Sequence, residues 1–127
     1  MSWAKLYGSY ESHPKFELTS LVAAAAVALH AKAIAHSAQH LTDGEVRNSW
    51  VDRQLALLRP KQRREVIDHA IGARLFDRID GGYLVHDYLE HNRSREQVEQ
   101  DRLGAAKRQA DRRDRQRQEH LPWEGAA

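Results

Sequence analysis

The sequence has 127 residues, 41% of them hydrophobic and 7% aromatic, with a formal net charge of +2. That length suits one compact domain with an appendage. The absence of cysteine excludes disulfides, thiolate zinc sites and cysteine nucleophiles, and fits a reducing cytosol.

Met1-Ser2-Trp3-Ala4-Lys5 has no charged start followed by an apolar run, so no signal peptide is expected. The longest apolar stretch, Leu21 to Leu29, is mostly alanine and short of a bilayer span, so no membrane partner is expected and the predicted location is cytoplasmic. Apolar residues run from Trp3 to Leu89 and then almost stop. The predicted organisation is therefore a domain over 1–92 and a charged helix and tail over 93–127.

The charge is unevenly placed. Arg59 to Arg64 holds four cations (Arg59, Lys61, Arg63, Arg64) and no acid, and Arg93 to His120 holds nine basic and six acidic residues. The remainder is acidic. Local basic clusters of this kind suit a polyphosphate partner.

In chain order, residues 1–16 read as an ordered lead-in, in which some of Trp3, Leu6, Tyr7 and Tyr10 must pack. A first helix is predicted from Glu17 to His40, with Leu18, Leu21, Val22, Ala25, Leu29 and Ala33 on its inner face. Its alanines favour helix and allow a second helix to approach closely. Thr42-Asp43-Gly44 ends it, with Gly44 suited to a left-handed turn. Glu45-Val46 reads as a very short strand. A second helix is predicted over Ser49–Leu58, with Trp50, Val51, Leu55 and Leu58 inward. A third starts at Pro60 and runs to about Arg74, burying Val66, Ile67, Ala70 and Ile71. Leu75–Ile79 and Tyr83–His86 flank Asp80-Gly81-Gly82 and read as a hairpin. A helical turn follows over Asp87–His91. Ser94 and Gln97 resemble a capping box that opens a polar, solvated helix with no heptad seam. Asp111 and Arg115 are spaced to support it, and Leu121-Pro122-Trp123-Glu124 ends it.

Helix, short strand, helix, helix, hairpin is the order of a winged helix-turn-helix. The expected fold is thus mainly α with a small β-hairpin, followed by a long polar C-terminal helix. In such folds the second helix of the helix-turn-helix enters the major groove, led by its N-terminal residues. Here those residues are Arg59, Lys61, Gln62, Arg63 and Arg64, with Arg47 and Arg53 as flanking phosphate contacts. Arginine bonds guanine bidentately, glutamine does the same with adenine, and a helix N-terminus attracts phosphate. The partner so predicted is double-stranded DNA. Four cations at a helix start are slightly unfavourable to the helix dipole, and the alternative is a solvated helix start that happens to be basic. The tip Asp80-Gly81-Gly82 is acidic, which argues against this wing gripping phosphate.

Several segments carry a further resemblance: Trp3-Ala4-Lys5-Leu6, His13-Pro14-Lys15, the run from Leu41 to Val46, and above all Gly82-Tyr83-Leu84-Val85-His86-Asp87-Tyr88-Leu89-Glu90 with the residues around it to Arg95. Over about residues 3–100 the chain resembles phage-encoded winged-helix proteins of actinobacterial phages, related in layout to replisome organisers and DnaD-type initiator N-terminal domains. The resemblance implies DNA binding in phage replication initiation or transcription regulation, inside a bacterial host cell. It does not extend to a long second domain, so helicase loading is not among the expectations.

Other chemistries are weaker. His36 and His40, four apart, form a usable ligand pair, but a third ligand such as His86 or Asp87 must come from elsewhere, and no metal or other cofactor is expected. His86-Asp87 with Glu90 resembles an acid–base set, yet Asp87 as a cap is the simpler reading, and no Gly-rich phosphate loop of the P-loop type is present. No enzymatic activity is expected.

Three readings fit the C-terminal segment: nonspecific phosphate contacts through Arg108, Arg112, Arg113, Arg115 and Arg117, a protein-docking extension with Arg112, Arg113, Arg115 and the aromatic anchor Trp123, or a disordered tail. Helix exchange to give a homodimer is a further option. The alternative function is a protein-interaction module that binds a host or phage replication or regulatory protein.

Overall fold

The computed structural model describes residues 12–120. The predicted packing of Trp3, Leu6, Tyr7 and Tyr10, and the chain end with Trp123, lie outside these residues. After a 3-10 turn at Pro14–Phe16 come α1 (Leu21–His40), β1 (Glu45–Arg47), α2 (Asn48–Gln54), α3 (Pro60–Gly72), β2 (Phe76–Ile79), β3 (Gly82–Val85), α4 (Tyr88–His91) and α5 (Arg95–Glu119). The described chain is mainly helical, with one small antiparallel sheet and a long C-terminal helix. It divides into two units between Ser94 and Arg95.

α1 begins four residues later than its periodicity suggested. Ser20 takes the extended backbone of an N-cap, and its Oγ accepts from the Ala23 amide at 3.0 Å. Leu18 therefore precedes the helix, and Leu18 and Leu21 are 66% and 90% exposed rather than inward. The buried face runs through Ala23, Ala26, Leu29, His30, Ala33, Ile34 and Ser37. Small residues dominate it because α1 packs chiefly on α3, and alanine permits close backbone approach. By length and composition the 20-residue α1 is long and apolar enough to cross a bilayer, although the apolar run Leu21–Leu29 alone is too short. In the fold its alanine face lies in the protein core.

Leu41, not Gly44, closes α1 in the left-handed conformation (φ 55, ψ 51). Gly44 is also left-handed, at φ +91, and serves a second purpose. A Cβ there would lie 2.7 Å from Cβ of Tyr88, so its absence lets α4 settle against the α1–β1 turn.

The sheet order is β1-β3-β2, with both pairings antiparallel. Ile79 pairs with Gly82, so the turn is Asp80-Gly81 alone, with Gly81 at φ +78. Gly82, expected in the turn, opens β3 instead. It sits opposite Arg47, where a Cβ would come within 2.1 Å of the Val46 carbonyl oxygen. The Asn48 amide then donates to the Gly81 carbonyl at 3.1 Å, so β1 and the start of α2 follow the hairpin to its tip.

Phe16, Leu29, Val51, Val66, Leu75 and Val85 typify the core between α1, α2, α3 and the sheet. Burying each such side chain contributes about 1.5–3 kcal/mol. Of the predicted inner face of α2, Trp50, Val51 and Leu55 are buried, whereas Leu58 is half-buried because the helix ends at Gln54. α5 buries no residue. Its ion pairs include Arg95–Glu99 at 3.0 Å and Arg117–Asp114; Asp111 and Arg115, the pair expected to support the helix, form none.

Candidate nucleic-acid interface

The cationic start of α3 is built around a turn that one of its own arginines holds. Nε of Arg63 donates to the carbonyls of Leu55 at 3.1 Å and Leu58 at 2.9 Å, and Nη2 donates to Ala56 at 3.3 Å. These carbonyls belong to the end of α2 and the turn after it, groups that no continuing helix satisfies. A cation there also suits the negative end of the α2 dipole. Arg63, named with the expected DNA contacts, is thus set apart from them: its guanidinium is half-buried and bonded to backbone carbonyls. The signal was present in the sequence, because Arg63 shares the three-and-four spacing of Val66, Ile67 and Ala70.

Gln62 is also partly committed. Its Oε1 accepts from the Arg59 amide at 3.1 Å, the returning half of a capping box. Arginine has no acceptor, so Arg59 makes no reciprocal bond, and α3 lacks a side-chain cap. Pro60 has no N–H to satisfy. The amides of Lys61 and Gln62 belong to the first turn, where no intrahelical acceptor exists. Bidentate reading of adenine by Gln62 requires this cap to open.

Arg59, Lys61 and Arg64 are exposed, and no carboxylate of the described residues pairs with them. The first turn of α3 contains no acid. Beyond the exposed Pro60 and Gln62 of the first turn, Lys61, Arg64, Glu65, Asp68 and Gly72 are exposed along the helix, at the spacing of one face. That face is basic at its start and acidic further on.

The structure does not draw every predicted contact together. Arg47 ends β1 and occupies the cap position of α2, exposed. It is separated from the α3 start by the length of α2, roughly 10 Å. Arg53 is exposed in the last turn of α2, nearer that start. Arg78 of β2 is a further cation near α3: its Nη2 lies 3.5 Å from Asp68 Oδ1, and its guanidinium stands 5.9 Å from the centre of the Tyr83 ring, joining the hairpin to α3. Arg112, Arg113 and Arg115 are exposed on α5, and Trp123 lies outside the described residues.

His30, His36, His40 and His86 each meet a ring or a carboxylate. His36 and His40 have ring centres 4.5 Å apart, and His36 also packs 5.0 Å from Trp50. Burial, then the charges of His40 and Arg53, hold His36 below its ordinary pKa. His30 is buried between Phe16 and Phe76, and burial, then Lys15, lowers its pKa to about 4. His86 Nδ1 meets Asp77 Oδ2 at 2.9 Å and its Nε2 meets Asp87 Oδ2 at 3.2 Å. The two carboxylates approach opposite ring nitrogens and converge on no common point. Asp87 adopts φ 58 and makes no side-chain cap bond to α4, contrary to its predicted capping role. Among the described residues no group of three or more His, Asp or Glu is placed to hold a metal ion.

No protein family, curated protein or solved structure matches this chain in the comparisons made with each.

Proposed function

We propose that the chain is a winged-helix protein that binds double-stranded DNA through the start of α3. The element order α1-β1-α2-α3-β2-β3 supports the winged-helix reading. The observation that carries the DNA reading is the acid-free first turn of α3, which has no bond from an N-cap side chain and where Arg59, Lys61 and Arg64 stand exposed beside two amides without intrahelical acceptors. Cations, free N–H groups and the positive helix end all favour a phosphate oxygen or a guanine edge at this point.

In this reading Arg63 positions the helix and Arg59, Lys61 and Arg64 make contact. Glu65 and Asp68, further along the same face, repel phosphate, which restricts the contact to the first turn of α3. The short hairpin, laced to α2 and acidic at Asp80, acts as a wall of the domain and does not grip the backbone. The family resemblance carried by the Gly82–Arg95 region favours a role in phage replication initiation or transcriptional control. Titration of a labelled duplex with the wild type and with a Lys61→Ala/Arg64→Ala variant tests the proposal. At low salt a loss of at least about tenfold is expected. Unchanged affinity in a folded variant removes α3 as the contact element.

A further inference from the structure

α5 is a 25-residue helix without a buried side chain. A helix that contributes nothing to a core needs another reason for its composition, and its charge pattern supplies one. Between Arg102 and Arg115 there are six cations and two acids. At 100° per residue, Arg115, Arg108, Arg112, Arg102 and Arg113 fall in that order within an arc of roughly 160°. Asp111, Asp114 and Lys107 fall within roughly 60° of one another outside it. Ala105, Gln109 and Gln116, uncharged and helix-favouring, fill the arc between the arginines. Asp101 and Glu119 bound it at the two ends.

All five arginines are exposed. Arg117 pairs with Asp114 and so drops out of the set. Arg108 lies back along the helix, its Nη1 3.5 Å from where a Cβ of Gly104 would be. The opposite arrangement, an apolar seam for a second helix, is missing: Leu103 is 72% exposed, with only Ala106 and Ala110 near it on the wheel.

We propose that this arginine arc is a second, sequence-independent contact for the phosphate backbone of duplex DNA. The arc runs for roughly 20 Å along α5, about the rise of six base pairs. Arginine suits the role because its planar fork bonds phosphate oxygens bidentately and it never loses its charge. Between Arg102 and Arg115 both acids lie off the arc, and Asp101 and Glu119 share its face only beyond its two ends. The inference rests on the chain being a DNA-binding protein, but not on which α3 residues touch DNA.

The test uses the full chain and a short duplex of arbitrary sequence, between about 50 and 200 mM salt. The variant changes Arg102, Arg108, Arg112, Arg113 and Arg115 to glutamine, which has nearly the helix propensity of arginine. Circular dichroism reads retained helix. Affinity is expected to fall at least about tenfold at low salt, and the log–log salt slope by roughly 0.9 for each phosphate that is no longer neutralised. Lys107→Gln, off the arc, is expected to leave the slope unchanged. Unchanged affinity and slope in the five-site variant overturn the proposal, as does a loss from Lys107→Gln equal to that of Arg112→Gln. A dimer abolished by the five-site variant while DNA binding persists overturns it in favour of self-pairing. Lys61→Ala/Arg64→Ala is measured in parallel. Weakening by the α5 variant alone supports this contact and removes the α3 site, weakening by the α3 variant alone does the reverse, and a wild type that binds no duplex removes both.

Discussion

Nε of Arg63 lies 2.9 Å from the carbonyl oxygen of Leu58, across the turn that joins α2 to α3. With its bonds to Leu55 and Ala56, this contact converts one member of a basic cluster into the clasp that sets the angle between two helices. The neighbouring cations are thereby presented by a fixed turn.

Arg63→Ala leaves the Leu58 and Ala56 carbonyls without this donor, while the Leu55 carbonyl keeps the Leu58 amide at 3.0 Å. Bonds from a charged donor contribute about 1.5–3 kcal/mol, so a loss of stability of about 2 kcal/mol is expected in urea denaturation. Arg63→Lys should recover only part of it, since an ammonium lacks the planar fork that reaches several acceptors at once. Equal stability of all three proteins contradicts the clasp.

Two adjacent glycines should respond differently to alanine. Gly82→Ala drives a Cβ to 2.1 Å from the Val46 carbonyl oxygen, a backbone atom that moves only if β1 separates from β3. A loss of about 2–3 kcal/mol or more is expected. At Gly81 there is open space, and the penalty is only that of φ +78 for an L-residue, about 1–2 kcal/mol. Thermal melts of both variants measure the difference.

His30 makes stability depend on pH. Its folded pKa of about 4 lies below the ordinary histidine value of 6.5, so the unfolded chain takes up more protons between these values. Stability from this group is complete above about pH 6.5 and is lost as pH falls towards 4, by of order 3 kcal/mol. His30→Phe, which keeps a ring between Phe16 and Phe76, should flatten that part of the curve. A variant with the same slope as the wild type assigns the dependence elsewhere.

Removing the acids from the α3 face should strengthen binding. Glu65→Gln with Asp68→Asn is expected to raise duplex affinity about fivefold at low salt, the effect fading as salt rises. Asp68 also pairs with Arg78, but both side chains are largely exposed and that pair contributes at most about 1 kcal/mol. Lower affinity in the double variant means that the acids help hold the ligand.

Much of the local structure was legible because local signals carried it. Pro60 marked the start of α3, the Asp80-Gly81-Gly82 segment marked the hairpin, and the missing apolar seam marked α5 as solvated. Other features depended on partners distant in sequence. The buried face of α1 follows α3, so small residues won over Leu18 and Leu21, and the Ser20 cap fixed a later start. Gly82 looked like a turn residue until β1 supplied the carbonyl that excludes a side chain there. Helical phase divides the basic run Arg59 to Arg64: Lys61 and Arg64 face outward, whereas Arg63 faces the preceding turn.

Backbone amide chemical shifts recorded during titration with a short duplex test most directly whether the first turn of α3 meets DNA. The largest shifts are expected at Lys61, Gln62 and Arg64, with Arg63 Nε retaining its bonds to the α2 end. Shifts that leave this turn unmoved and gather on α1 or the hairpin contradict it.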